Sequence, residues 1–258
     1  MAPQPSAGAA ALLLQAMGRI VAEVGTVTRA LLELVRDDDN DRDLAGRICQ
    51  ACVDGLDIDG AAISLLTTSA FRETLWATDS TAELLEDLQF TLNEGACMEA
   101  ATTGHPVLVP DLHHSTETAR WPMFAAAVAE QTSVAALFAL PLQWGTVNLG
   151  VLDMYRRLPG GLTKTQWRDA LAAADLAALI MLGKRTDSSE DGGSWLDPAS
   201  GHRADIHQAA GMVVVQLGIS ATDALARLRA HAFVHQRLLI DVARDVVAQR
   251  LVLPPDIS

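Results

Sequence analysis

The stretch KRTDSSEDGGSWLDPASGH, Lys184 to His202, divides the chain. It is rich in Ser, Asp, Gly and Pro and lacks the apolar periodicity of a packed element or a stiff coiled coil, so it reads as a linker. At 258 residues the chain can bury a separate core on each side of it. The expected organisation is a disordered N-terminus over 1–9, a first domain with flanking helices over 10–183, the linker over 184–202 and a small module over 203–252.

The first block mixes two periods. Ala10 to Val35 reads as helix, with Leu13, Ile20, Val24, Val27, Leu31, Leu34 and Val35 near one face. The acidic run Asp37 to Asp43 reads as a solvated loop whose last acids favour the start of a helix over Leu44 to Leu56. Strands follow at Ala61–Leu66 and Thr74–Ala77. Ala82–Leu88 reads as helix, Gln89–Leu92 as extended chain, Gly95–Thr103 as a short helix and Pro106–Val109 as a strand. Pro122 opens a helix over Met123–Glu130. Val134–Leu142 and Val147–Tyr155 form a hairpin around Gln143–Thr146, and Thr163 caps a helix reaching Gly183. Helices around paired strands imply an α+β domain.

The last block reads as three helices and nothing else. Ile206, Ala210, Val213, Val214 and Leu217 form one stripe, and Gly218 ends it. Ser220 to Asp223 resembles a capping box for the second helix, with Leu225, Leu228 and Ala232 inward. Leu239, Val242, Ala243, Val246 and Val247 mark the third, and Pro254-Pro255 stops it. Three such helices share one small, marginal core.

Charge follows the same division. Residues 1–202 carry 13 Lys/Arg against 27 Asp/Glu, whereas residues 203–252 carry six Arg against four Asp. An acidic body repels polyanions, and a mildly basic module tolerates one. The three cysteines fit reduced thiols rather than a disulfide framework. No signal-peptide pattern and no membrane-length apolar stretch is present, so the expected location is cytoplasmic.

Sites for catalysis are not apparent. Cys49-x-x-Cys52 has no second Cys pair, and buried structural thiols are the simpler reading. Asp111-x-His113-His114 lacks further ligands at metal spacing and reads as a polar loop. No HExxH, P-loop, GxGxxG or GxSxG is present, so neither a catalytic residue nor a metal ligand is assigned. Cys97 sits where a loop enters a helix, a position that lowers a thiol pKa, and reads either as a redox or ligand-contacting residue or as a small apolar filler. The six arginines of the module suit either phosphate contacts or pairing with Asp223, Asp241 and Asp245. Phe233 is the single aromatic residue from Arg203 onward, which disfavours base stacking on an aromatic platform.

Arg203 to Val247 resembles an ANTAR domain from end to end. The features are Ala209-x-Gly211-Met212, the Gly218-x-Ser220 turn, Ala224-x-x-x-Leu228-Arg229, Ala232 and Val242-Ala243, with Ala210 where the family commonly has Lys. The resemblance implies a three-helix module that binds RNA hairpins in nascent transcripts and relieves termination. Its expected RNA face is Arg203, His207, Gln208, Gly211, Arg229 and Arg237. Upstream, Asn93 to Leu112, Arg120 to Gln131 and Ala139 to Arg156 are similar to GAF domains, with Ala96 where that family often has Pro. That resemblance implies an antiparallel sheet flanked by helices and a small-molecule pocket, here expected at Cys97, Met98, Trp121, Phe124 and Phe138. The cofactor or ligand is unknown. A homodimer through the flanking helices is expected. The competing readings are a helix-turn-helix DNA reader and a protein-interaction module without RNA binding.

Overall fold

A computed structural model describes residues 25–34, 41–66, 72–187 and 203–254. The expected disordered N-terminus, most of the first expected helix and most of the expected linker lie outside the described residues. Five strands form one antiparallel sheet in the order β2-β1-β5-β4-β3: β1 Gly60–Leu66, β2 Arg72–Ala77, β3 Val107–Val109, β4 Ala136–Trp144 and β5 Val147–Arg156. The strands β1 and β4 are almost continuously apolar because both faces of the sheet are covered.

One face packs against α2 (Asp41–Leu56) and α7 (Lys164–Asp187), and α1 (Thr26–Leu34) packs against those two helices. Its core holds Ile48, Leu56, Ile63, Phe138, Leu140 and Leu152. Ala170, Ala173, Ala174, Ala177 and Ala178 of α7 are buried there, and their small size lets the helix lie close over the sheet. This is how a chain so poor in aromatics fills a core. Asp169 fastens α1 to α7: its carboxylate accepts from the amides of Val27 at 2.9 Å and Thr28 at 3.0 Å and from the Thr28 hydroxyl at 2.7 Å. Gly25 permits that approach, since a Cβ there would stand 1.9 Å from Asp169 Cγ.

The opposite face carries α3 (Ser80–Leu92), α4 (Ala96–Thr103), α5 (Ser115–Arg120) and α6 (Pro122–Gln131), with Leu85, Leu88, Val109, Phe124, Val128, Leu137, Val151 and Tyr155 in the core. Asp79 caps α3, accepting from the amides of Thr81 and Ala82 at 2.8 Å each, and also accepts from the Tyr155 hydroxyl at 3.0 Å. The start of α3 is thereby tied to β5. Three further helices follow among the described residues: α8 (Ala204–Leu217), α9 (Ala221–Val234) and α10 (Leu239–Val247).

Several boundaries differ from the sequence reading. Gln89–Leu92 is helical rather than extended, because Asp79 opens α3 and Asn93 closes it in the left-handed region at φ 55°. The acidic run does not stay a loop to its end, since α2 begins at Asp41. The helix α5 is too short and polar for periodicity to reveal. The hairpin is tighter than expected, with Trp144 already paired to Val147. Thr163 forms a full capping box: its hydroxyl accepts from the Gln166 amide and its amide donates to the Gln166 side chain. The helix it caps runs into the expected linker, to Asp187.

Cys49 and Cys52 are buried structural thiols beneath α1 and α7. Burial pushes the Cys52 thiol up to about 12, with Asp169 adding to the effect. Burial raises Cys49 as well. The raised folded values favour the neutral thiol in the folded state, so the contribution to stability is complete below pH 9 and declines between pH 9 and about 12. A thiol-exchange reagent at pH 8 should therefore react with these two cysteines only as fast as the protein opens, and at once in denaturant. Rapid reaction of either thiol in the native protein would contradict this packing.

Candidate nucleic-acid interface

The three C-terminal helices bury Ile206, Ala209, Val213, Leu225, Leu228, Val242 and Val246 against one another. Their core is completed by Phe90, a residue of α3 in the sheet domain. Ser220 caps α9 as expected, accepting from the Asp223 amide at 3.1 Å.

Phe90 draws in two of the expected RNA-binding residues. The Arg203 guanidinium lies 4.2 Å from its ring centroid and that of Arg229 lies 4.6 Å from it. Arg203 is 1 % exposed. Its Nη2 donates to the Glu86 carbonyl at 3.1 Å and stands 3.6 Å from the Asp87 carboxylate. Its amide donates to Glu73 Oε1 at 2.9 Å, so a carboxylate of strand β2 sits at the N-terminus of α8, where the helix dipole favours it. His207 Nε2 is 3.7 Å from the other oxygen of Glu73. Arg229 donates to the Phe90 carbonyl at 3.0 Å, and the Leu239 amide donates to the Thr91 hydroxyl at 3.1 Å.

The expected RNA face is therefore split. Arg203, His207 and Arg229 face the sheet and α3. Arg237 is held by Asp245 at 2.7 Å and by the Asp241 carbonyl at 3.1 Å. Gln208 and Gly211 are exposed. A Cβ at Gly211 would meet nothing within 4 Å, so this glycine serves no close packing within the chain. With Val215, 85 % exposed, these two form an open stripe along α8. The remaining arginines also have partners within the chain. Arg244 pairs with Asp205 and Asp241, Arg250 with Asp245, and Arg227 donates to the Pro254 carbonyl. Hydrogen bonds from Arg237 and then Arg250 hold the Asp245 carboxyl below its ordinary range.

The expected ligand pocket is also redistributed. A small cavity of about 10 Å³ lies between β1, β5 and α3, lined by Ala62, Ala82, Glu86, Gln89, Asp153 and Tyr155 among others. Cys97, Met98, Trp121, Phe124 and Phe138 do not line it. Trp121 and Phe124 pack in the cover formed by α5 and α6. Phe138 lies on the far face of the sheet, because strand alternation turns Leu137 and Ala139 toward the cavity side and Phe138 away. Cys97 is fully buried beside the cavity residues, its amide donating to Gln89 at 2.8 Å and its sulfur 3.5 Å from the Ser64 hydroxyl. A wider groove of about 540 Å³ runs between α3, α6 and the α9–α10 turn, with Met123, Glu130, Phe233 and Arg237 on its walls.

Sequence reading does not single out Glu73, Glu86, Asp87, Phe90 or Asp153. Two traces are present: Asp153, a charged residue inside an apolar strand, and Glu86, a charged residue inside a packed helix.

Residues 42–184 match the family model described as the GAF domain, and residues 196–247 the one described as the ANTAR domain. No curated protein matches the chain. Among solved structures, the fold is similar to the GAF domain of a phosphoenolpyruvate-protein phosphotransferase from Coxiella burnetii, with TM-score 0.52 and 11 % identity over 63 % of this chain and 95 % of that one. The corresponding GAF domain from Acinetobacter gives 0.49 and 11 % over 63 % and 95 %. A domain of a two-component sensor histidine kinase from Sinorhizobium meliloti gives 0.49 and 14 % over 60 % and 100 %. Among the described residues no single helix is long and apolar enough to cross a membrane.

Truncating Phe90 removes a ring that α3 contributes to the core of the C-terminal helices. Phe90→Ala should cost about 3–5 kcal/mol, the usual loss for a buried aromatic. Urea unfolding followed by circular dichroism should then show the C-terminal helices melting before the sheet domain. A single transition at the wild-type midpoint would mean that Phe90 does not couple them.

Proposed function

Because the chain belongs to the GAF domain family and carries an ANTAR domain in its last quarter, we propose that it is a signal-responsive transcription antiterminator. The GAF half senses a small ligand, and the three-helix half binds an RNA hairpin in a nascent transcript. The observation that carries this reading is the engagement of Arg203 and Arg229 by Phe90. The side chains suited to phosphate are clasped by the sensor, so sensor state and RNA binding compete for the same groups.

The RNA face comprises Arg203, His207, Gln208, Gly211, Arg229 and Arg237 once the module leaves α3. Arginine suits this role because its planar guanidinium holds phosphate oxygens with two parallel hydrogen bonds and stays charged. Gln208 and Gly211 already lie open, and Gly211 lets an RNA backbone approach α8 without a side chain in the way. The protein acts in the cytoplasm, where nascent transcripts are. Leu32 on α1 and Leu179 on α7 are 48 % and 44 % exposed on the sensor's outer helices, which supports pairing of two chains there.

A gel shift with a terminator-overlapping hairpin tests the reading. Phe90→Ala, which opens the clasp, should bind the hairpin more tightly than wild type and with steep salt dependence. Adding Arg203→Ala to it should lower the salt slope by about one unit. Equal binding of both variants to unstructured RNA, or preference for duplex DNA, would refute the antiterminator. Gly211→Ala separates stability from binding. Replacing a helix-interior glycine should stabilise α8 by up to about 1 kcal/mol while weakening hairpin binding. Unchanged hairpin affinity would remove Gly211 from the RNA face.

A further inference from the structure

The sensor interior gathers a set of side chains that the RNA reading does not use. Glu86 from α3, Cys97 from the first turn of α4 and Asp153 from β5 converge, their carboxylate oxygens and thiol sulfur all lying within 4.8 Å of one another. Glu86 is 1 % exposed and Cys97 is fully buried. Asp153 is partly buried, on the strand face that turns Val151 and Tyr155 into the core. Three separate elements thus deliver one sulfur and two carboxylates to a single interior point. Two carboxylates share a low-dielectric site poorly, since each opposes ionisation of the other, and a divalent cation between them removes that conflict.

The size and surroundings of the site identify the occupant more narrowly. The adjoining cavity of about 10 Å³ is lined by Glu86 and Asp153 and has room for about one water-sized sphere, not for a metabolite. A monatomic ion fits where an organic ligand does not. A thiolate with two carboxylates suits a borderline transition metal such as Zn²⁺ or Fe²⁺, and disfavours Mg²⁺ and Ca²⁺, which take oxygen only. Around a tetrahedral ion with bonds of about 2.0–2.3 Å, ligand atoms stand about 3.3–3.8 Å apart, so movements of about an ångström close the set. The cavity supplies space for a water as fourth ligand. Outer partners are in place as well: the Thr74 hydroxyl donates to Glu86 Oε2 at 3.4 Å, the Ser64 hydroxyl lies 3.5 Å from the Cys97 sulfur, and Gln89 Oε1 accepts from the Cys97 amide. Cys97 also lies in the first turn of α4.

We propose that Glu86, Cys97 and Asp153 form a divalent transition-metal site in the sensor core. The site deepens the sensor half of the proposed regulator, while metal binding itself does not depend on the RNA reading. Its consequence for output follows from position, because the Glu86 carbonyl is the acceptor of Arg203. An ion drawing on the Glu86 carboxylate shifts the same residue that holds the module.

The test is a Co²⁺ titration of the full chain, stripped with chelator and kept reduced. The expected result is one Co²⁺ per chain with a thiolate-to-cobalt absorption band in the near ultraviolet. Cys97→Ser should abolish the band, whereas Cys49→Ser and Cys52→Ser should keep it. Glu86→Gln and Asp153→Asn, checked for folding by circular dichroism, should each weaken Co²⁺ binding beyond the roughly 10–100-fold typical of losing an outer partner. Failure of the wild-type chain to bind Co²⁺ stoichiometrically, or a band that survives Cys97→Ser, would overturn the site whether or not any variant folds. The readout contains no RNA, so a negative result leaves the antiterminator reading intact, and a failed gel shift leaves the metal site intact.

Discussion

The structure depends on a ring and two guanidinium groups. Phe90, carried by α3 of the sheet domain, completes the core of the three-helix module, and Arg203 and Arg229 both lie over it. A fully buried arginine is tolerable only when its charge is met, and here the Asp87 carboxylate, the Glu86 carbonyl and the Phe90 ring meet it. The same requirement makes the contact switchable. Removing the sheet-domain side would leave arginines in need of new anionic partners, the role that the proposed function gives to RNA phosphates. Competition between an internal acid set and an external polyanion needs no change in the fold of either half.

One helix, α3, connects the parts. Its start is fixed to the sheet through Asp79 and Tyr155. Its middle presents Glu86 and Gln89 to the interior cavity. Its last turns offer Phe90 and Thr91 to the module. Glu86 and Phe90 are one helical turn apart, so a change in what Glu86 binds reaches the clasp through a single rigid element. The contacts of Phe90 and Thr91 thus join α3 directly to the C-terminal helices.

Much of this was legible in the sequence and some was not, for identifiable reasons. The strands, the hairpin and the three C-terminal helices follow from hydrophobic period, because each buries a face in a core built mostly from neighbours in its own half. Gln89–Leu92 was misjudged as extended since Gln-Phe-Thr-Leu carries β propensity, and only the caps at Asp79 and Asn93 decide for helix. The arginines were recognisable by residue type, but charge could not tell acid pairing from phosphate contact. What meets the Arg203 guanidinium is Asp87 and the Glu86 carbonyl, more than a hundred positions earlier in the chain, and no local pattern reaches that far. Phe138 was misplaced because a strand buried on both faces gives no alternation to show which side a residue takes. Convergence of Glu86, Cys97 and Asp153 is likewise a property of topology and not of spacing.

Amide hydrogen exchange with and without saturating hairpin RNA tests the central claim most directly. If RNA and sensor compete for the same arginines, bound hairpin must speed exchange in the last turn of α3 and slow it along α8. Retention of full protection in α3 while the hairpin is bound would show that the module reads RNA without leaving the sensor, and the competition between them would be wrong.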